Sequence, residues 1–95
     1  MNAKYLFNAA TATGTSLTLP VHGSAHTIHV VASGTPALTL TIYGGDGNGN
    51  ATIIDTKTYS ADTSEDVVFQ GIWDNIYGVV SSYTSGTITV TYNGK

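Results

Sequence analysis

Few side chains in this sequence have the type and spacing for chemistry, and the first group lies in the glycine-rich stretch 44–50. From Asp46 onward this stretch places oxygen-bearing side chains at alternate positions. A calcium loop of the EF-hand type begins in this way, but it needs glycine at its sixth position and a bidentate glutamate at its twelfth. Those positions hold Ala51 and Lys57. Because one carboxylate supplies too little charge, we interpret the stretch as a β-hairpin tip and predict no metal there.

The histidines form the second group, His22, His26 and His29. If residues 26–32 form a strand, His26 and His29 point to opposite faces and cannot chelate one ion together. His22 and His26 share a parity but are separated by a predicted loop, and no third ligand accompanies them. We therefore interpret the three as structural or interface residues. A ring of histidines contributed by symmetry-related copies stays open as an alternative.

The sequence lacks the residue patterns that are usual in catalytic sites. None of the serines lies in a Gly-x-Ser-x-Gly motif, and no strand–elbow–helix is available to present one. Asp62, Glu65 and Asp66 cluster in a predicted turn, where solvated carboxylates are ordinary. An acid–base pair needs two carboxylates in different environments. The sequence therefore predicts that the chain is not an enzyme and that it needs no cofactor.

Aromatic residues are the remaining candidates for binding. Each buries a large area, so in a small β domain they serve as core or interface anchors. We predict that role for Tyr5, Phe7, Trp73 and Tyr77. The alternative is a stacking platform for sugars, formed by Trp73, Tyr77 and Tyr83 with Tyr43 and Tyr59.

The elements that position these side chains are predicted to be strands. Residues 37–43 alternate Leu38, Leu40 and Ile42 with hydroxyl-bearing side chains, and residues 87–92 repeat the scheme. Alternation with period two is typical of a strand with one buried face. In residues 15–19 the same rule places both leucines, at 17 and 19, on one face.

Short strands of this kind recur about every ten residues, with turn signals at 33–36, 44–50 and 84–86. No window has the apolar spacing of a helix. This pattern predicts an all-β sandwich or barrel.

Composition limits the partners of the chain. Its 95 residues allow one domain, and it has no cysteine for disulfides or a thiolate site. Charged residues make up 9% of the chain, against roughly 25% in an average soluble domain. Its only cations, Lys4, Lys57 and Lys95, are too few to neutralise a nucleic-acid backbone. No segment has the apolar length of a membrane span or a signal peptide, so we expect the product in the cytoplasm at first.

Four segments carry a resemblance to a known family. They are His-Thr-Ile-His-Val-Val-Ala (26–32), Leu-Thr-Leu-Thr-Ile-Tyr-Gly (38–44), Val-Val-Phe-Gln-Gly-Ile-Trp-Asp-Asn-Ile-Tyr (67–77) and Ser-Gly-Thr-Ile-Thr-Val-Thr-Tyr (85–92). In this order, in a short cysteine-free chain with a glycine loop, they resemble the small jelly-roll or β-sandwich capsid decoration (cement) proteins of tailed bacteriophages. The resemblance implies a single antiparallel, jelly-roll-like β-sandwich of about eight short strands over residues 1–95.

The resemblance also implies a function. Such proteins bind the outside of an assembled capsid, contact the major capsid protein and often sit as homotrimers, so the expected location is the virion surface after assembly in the host cytoplasm. Many weak contacts would reinforce the shell by avidity. Two alternatives remain, a carbohydrate-binding or adhesive β-sandwich of a phage fibre or tail, and a neck or tail component. The resemblance supplies no catalytic residue.

Overall fold

A computed structural model of the chain describes residues 4–94, and these residues form β-strands and no helix. The all-β prediction is confirmed. The strands are β1 (Lys4–Ala10), β2 (Gly14–Thr15), β3 (Leu19–Pro20), β4 (Ala25–Gly45), β5 (Ala51–Tyr59), β6 (Thr63–Gln70) and β7 (Asn75–Gly94). Since this part of the chain is helix-free, it contains no helix that could cross a membrane.

Two of these strands are much longer than the sequence predicts, because the turn signals at 33–36 and 84–86 bend the chain without ending the strand. β4 has 21 residues and β7 has 20. The bends use left-handed backbone at Gly34 and Thr35 in β4, and at Ser82 and Gly86 in β7. A Cβ on Gly86 would lie 2.5 Å from the Cα of Pro36, so only glycine lets the two bends pack together.

The bends divide β4 and β7 between two antiparallel sheets. In the first sheet the order is β6, residues 25–33 of β4, residues 87–94 of β7, and β1. In the second sheet it is β5, residues 37–45 of β4, residues 75–85 of β7, and then β2 with β3.

β2 and β3 act as one interrupted strand, since both pair with β7 and the amide of Ser16 between them donates to the carbonyl of Gly78. With each half of β4 and β7 counted separately, the fold has eight strands in the sheet orders 1-8-3-6 and 2-7-4-5. This is the strand order of a jelly roll, built from two Greek keys. The predicted jelly-roll-like sandwich of about eight strands is thereby confirmed.

The core lies between the two sheets and is built from alternate residues of the long strands. Leu38, Leu40 and Ile42 point inward, as the alternation predicts, and the odd-numbered threonines of β4 and β7 point outward. Even numbers remain inward on both sides of each bend, so one apolar stripe serves both sheets. The other apolar residues of the core are Leu6, Phe7, Leu19, Val21, Ile28, Val30, Ala32, Tyr59, Ile76, Val80, Ile88, Val90 and Tyr92.

Candidate functional site

In the glycine-rich hairpin tip, the carboxylate of Asp46 accepts hydrogen bonds from within its own loop. Asp46 Oδ1 accepts hydrogen bonds from the amides of Asn48 (2.7 Å) and Asn50 (3.2 Å), and Oδ2 accepts from the side-chain amide of Asn50 (2.9 Å). The bond from the Asn50 side chain, followed by that from the Asn48 amide, lowers the pKa of Asp46. Throughout residues 4–94, no three histidine or carboxylate side chains converge in a way that could hold a metal ion.

His26 and His29 lie on opposite faces of the first sheet. His26 is buried in the core, whereas His29 is exposed on the outer face of the first sheet and bonds to Asp66. His26 Nε2 lies 2.9 Å from the carbonyl oxygen of Gly71, and Nδ1 lies 2.5 Å from the hydroxyl of Tyr92. Because a carbonyl only accepts, Nε2 carries a proton, and in the tautomer with that proton alone Nδ1 accepts from Tyr92. His26 is therefore a satisfied core residue.

Trp73 closes the same end of the sandwich. His26 and Phe69 stack with centroids 5.3 Å apart, and the Trp73 indole packs against Phe69 at 5.7 Å and 67°. The indole also covers the backbone of Gly44 and Gly71, where a Cβ would overlap it. We call His26, Phe69, Trp73 and Tyr92 the aromatic plug. Trp73 is half-buried: it packs against the core as part of this plug, and it also lines the cleft beside the plug.

An open cleft of about 680 Å³ lies beside the plug, and we call it the loop cleft. Three loops line it, and the backbone of Asp74 ties them together: its amide donates to Gly45 O (2.9 Å) and its carbonyl accepts from the amide of Val21 (3.2 Å). The Ile72 side chain, 85% exposed, stands at the cleft. The cleft lining carries carboxylates and no lysine. Its polar side chains are His22, Asp46, Asn50, Thr52 and Asp74.

A second surface, on the outer face of the second sheet, carries a row of four large side chains. Tyr43 pairs directly with Tyr77 across the ladder, and their rings stack at 5.0 Å and 11°. Ile53 pairs with Tyr43 on the other side and is 61% exposed. Leu17, 71% exposed, lies in the interruption between β2 and β3, and continuing the β2 pairing beyond Ser16 would place it opposite Tyr77. We call Leu17, Tyr77, Tyr43 and Ile53 the tyrosine row.

The remainder of this face is small and uncharged. Along the strands, the next outward positions after the tyrosine row hold Thr15, Val79, Thr41 and Thr56, and those beyond hold Ser81, Thr39 and Thr58. Thr39 and Thr58 place their hydroxyls 3.4 Å apart. This surface is therefore flat, hydroxyl-bearing and free of ionised groups around an apolar row.

The outer face of the first sheet is different in character. It presents the outward threonines of β7 together with the His29–Asp66 pair. Val68 (68% exposed, on β6), Val31 (36%, on β4) and Tyr5 (52%, on β1) lie at different levels of that sheet and form no continuous row. The second sheet thus has the more continuous apolar surface.

Edge strands are the other common route to association, and three of the four edges are irregular, β5 through a register shift between Asp55 and Ile53. β1 shifts register between Tyr5 and Phe7 and again before Ala10, with left-handed backbone at Ala9. The β2–β3 edge is interrupted and ends in Pro20, which has no amide to donate. Irregular edges of this kind disfavour the addition of a strand from another molecule.

The β5 and β6 edges carry charged residues. On β5, Asp55 Oδ1 accepts from the neighbouring amide of Thr56 (2.9 Å), and Asp55 Oδ2 lies 3.8 Å from Lys57 Nζ. On β6, Glu65 and Asp66 follow one another at the edge, the first bonded to Tyr59 and the second to His29. Charged edge residues are a common protection against strand pairing. Contact through a sheet face is therefore easier for this fold than contact through an edge.

The four predicted anchors separate into different settings. Phe7 lies in the core, Tyr5 is exposed on the first sheet, Trp73 belongs to the aromatic plug and Tyr77 belongs to the tyrosine row. Of the aromatic residues considered for a sugar platform, Tyr43 and Tyr77 stack in the tyrosine row, whereas Trp73, Tyr59 and Tyr83 lie elsewhere.

Tyr59 is buried with its hydroxyl donating to Glu65 Oε2 (2.7 Å), and the hydroxyl of Tyr83 donates to Gly86 O (2.6 Å). Sequence reasoning missed Leu17 and Ile53. It placed Leu17 on the same face as Leu19, whereas Leu19 is 8% exposed and Leu17 71%. The interruption between β2 and β3 inserts one residue and reverses the parity.

Comparison of the chain with protein-family models, with curated proteins and with solved structures gives no match. The class of protein is therefore described from the fold and its surfaces alone. The chain is a jelly-roll β-sandwich whose described part presents one flat uncharged sheet face, guarded edges and an open cleft between loops.

Proposed function

We propose that this chain is a non-enzymatic structural protein of a virion, a decoration or cement subunit that binds the outside of a phage capsid. The observation that carries the proposal is the tyrosine row, set in an uncharged sheet face while the edges are guarded. A subunit of this kind works by surface contact alone. Its partners would be the major capsid protein and further copies of itself.

The physical case begins with desolvation. A face without ionised groups can be covered by another protein at little electrostatic cost, whereas burying an unpaired charge is expensive. Leu17 and Ile53, 71% and 61% exposed, would then be withdrawn from water. Each exposed aliphatic side chain contributes on the order of 1–2 kcal/mol when fully covered. Repetition over a shell would multiply such modest contacts by avidity.

The test is co-sedimentation of the purified chain with full and emptied heads of tailed bacteriophages. We expect the chain to sediment with heads and to delay their disruption by heat. Ile53→Ser is expected to weaken head binding, whereas Val68→Ser, an equally exposed aliphatic position on the first sheet, is the matched control and should bind as the parent does. A chain with no affinity for any shell would contradict the proposal.

The loop cleft supports a second candidate function, glycan binding as in an adhesive fibre or tail domain. Its volume of about 680 Å³, its apolar Ile72 and its hydrogen-bonding Asp74 and Asn50 suit a sugar ring. Because the cleft lining carries carboxylates and no lysine, a neutral sugar fits better than an acidic one.

Trp73→Ala is a poor test of this candidate, because the indole belongs to the aromatic plug and its loss would disturb the fold. Glycan-array binding that Ile72→Ser and Asp74→Asn each abolish, with the fold intact, would favour the candidate. Binding that neither substitution changes would exclude the cleft.

A further inference from the structure

The tyrosine row has a symmetric order across the second sheet. Tyr77, Tyr43 and Ile53 are neighbours in the ladder, and with the exposed Leu17 at the interrupted β2–β3 edge the order is aliphatic, aromatic, aromatic, aliphatic. We infer that this face pairs with the same face of a second copy, forming a two-fold homodimer. The inference rests on the proposed function in taking association as the role of the chain. Because one face cannot contact the shell and a second copy at the same time, the inference assigns the row to the second copy.

The symmetric order makes the face complementary to itself. In an isologous contact both subunits use the same patch, so the patch must be complementary to itself. If the two-fold axis runs parallel to the strands, Leu17 of one copy meets Ile53 of the other and the tyrosines meet each other. If the axis runs across the strands, each residue meets its own counterpart. Apolar groups meet apolar groups in either arrangement.

Charge favours a second copy over a charged partner. The outward positions of this face hold threonine, serine, tyrosine and aliphatic side chains. A partner surface with lysines or carboxylates would lose their hydration and gain no opposite charge in return. The face of a second copy has no such cost, and its threonine hydroxyls both donate and accept hydrogen bonds.

The area of the face suits a weak dimer. Four strands about 4.8 Å apart and a nine-residue length set by β5 give a face of roughly 19 by 30 Å. With the axis parallel to the strands, two copies would bury roughly 1,100 Å², just above the roughly 1,000 Å² of the smallest specific interfaces. With the axis across the strands at the row they would bury less, because Ile53 lies near one end of β5. We therefore expect a dimer that forms at high protein concentration and separates on dilution.

Sedimentation equilibrium over roughly 5–500 µM protein tests the inference. The parent chain is expected to pass from monomer to dimer with concentration, and Ile53→Ser and Leu17→Ser are each expected to raise the dissociation constant about tenfold or more. Val68→Ser, the matched exposed position on the other sheet, should leave it unchanged. Circular dichroism checks that each variant is folded. If one of the two row variants does not fold, the other still tests the inference.

Cysteine substitutions distinguish the two possible arrangements, because the natural chain has no cysteine. If the axis is parallel to the strands, a mixture of Leu17→Cys and Ile53→Cys chains should give the mixed disulfide on mild oxidation. If the axis runs across the strands, each variant alone should cross-link to itself. Absence of all three cross-links in a dimer would place the contact elsewhere and overturn the inference.

The remaining outcomes separate this inference from the proposed function. A chain that stays monomeric, or that forms a trimer insensitive to Ile53→Ser, overturns the inference. If head binding is nevertheless lost in Ile53→Ser, the face belongs to the shell contact and the proposed function survives. A dimer that depends on the row but binds no head supports the inference and contradicts the proposed function.

Discussion

The hydroxyl of Tyr92 lies 2.5 Å from Nδ1 of His26, and both residues are buried in the core of the sandwich. The two residues are 66 positions apart, on β7 and β4, which pair side by side in the first sheet. On its other side the imidazole bonds to the carbonyl of Gly71. This relationship joins the sheet to the loop that carries Trp73.

Removing the Tyr92 hydroxyl should therefore be costly. Tyr92→Phe leaves Nδ1 of His26 buried without a donor, and we expect a loss of about 1–3 kcal/mol in the free energy of unfolding, measured by urea denaturation. Tyr5→Phe removes a hydroxyl from an exposed ring and is the control, expected to change stability by less than about 0.5 kcal/mol. Equal effects of the two substitutions would show that the buried hydrogen bond is unimportant.

The contact of Trp73 with Gly44 gives a second prediction. A Cβ at position 44 would overlap the indole, so Gly44→Ala should displace the aromatic plug and destabilise the fold by roughly 1–3 kcal/mol. Since Trp73 is the only tryptophan, its fluorescence should shift toward the spectrum of an exposed indole. At Gly14, where a Cβ meets nothing within 4 Å, Gly14→Ala is the control. An unchanged emission spectrum in Gly44→Ala would contradict the packing.

The closure of the hairpin tip by Asp46 predicts a pH dependence. Hydrogen bonds from Asn50 and Asn48 lower the pKa of Asp46 in the folded state, so its stabilising contribution is present above the unfolded pKa of about 3.9 and is lost as pH falls through the folded value. A carboxyl titration by NMR should place the Asp46 midpoint below about 3.9.

Asp46→Ala should speed hydrogen exchange at the amides of Asn48 and Asn50 while leaving exchange in β4 and β7 unchanged. A midpoint at or above the ordinary value would show that the loop is open in solution.

Two buried tyrosines predict sensitivity to alkali. Burial, followed by the hydrogen bond to Glu65, raises the pKa of Tyr59, and burial raises that of Tyr92. A group with a raised folded pKa contributes stability that is fully present below its unfolded pKa, here about 10, and is lost as pH rises through the folded value. The free energy of unfolding should fall above about pH 10.

In Tyr59→Phe the fall in stability above about pH 10 should be shallower, because one of the groups that must ionise is gone. The comparison uses the slope against pH, so any change in stability at neutral pH does not affect it. A slope identical to that of the parent would show that Tyr59 ionises as freely in the folded state as in the unfolded one.

Alternation of side chains predicted the fold class and the direction of many residues. Leu38, Leu40 and Ile42 face the core, and His26 and His29 fall on opposite faces, because a strand turns successive side chains to opposite sides. The turn signals at 33–36 and 84–86 were found in the right places. Their effect was different, because the long strands β4 and β7 remain paired to each other on both sides of the bends.

The candidate surface was less accessible to sequence reasoning. Tyr77 was singled out as an anchor, but its partner Tyr43 lies 34 positions away, and nothing local specifies that register. Leu17 was placed on the wrong face because an interruption between β2 and β3 reverses the parity. A one-residue insertion in a strand leaves no signature in composition, yet it moves every following side chain to the other face.

The sequence by itself determined that this chain builds sheets with one apolar and one hydroxyl-rich face, because period-two alternation is a local property of the strand. Only the tertiary structure decided which strands are neighbours, and therefore that Leu17, Tyr77, Tyr43 and Ile53 form one row. The reason is that antiparallel pairing joins residues far apart in sequence, through bends and bulges whose register depends on packing of the whole core.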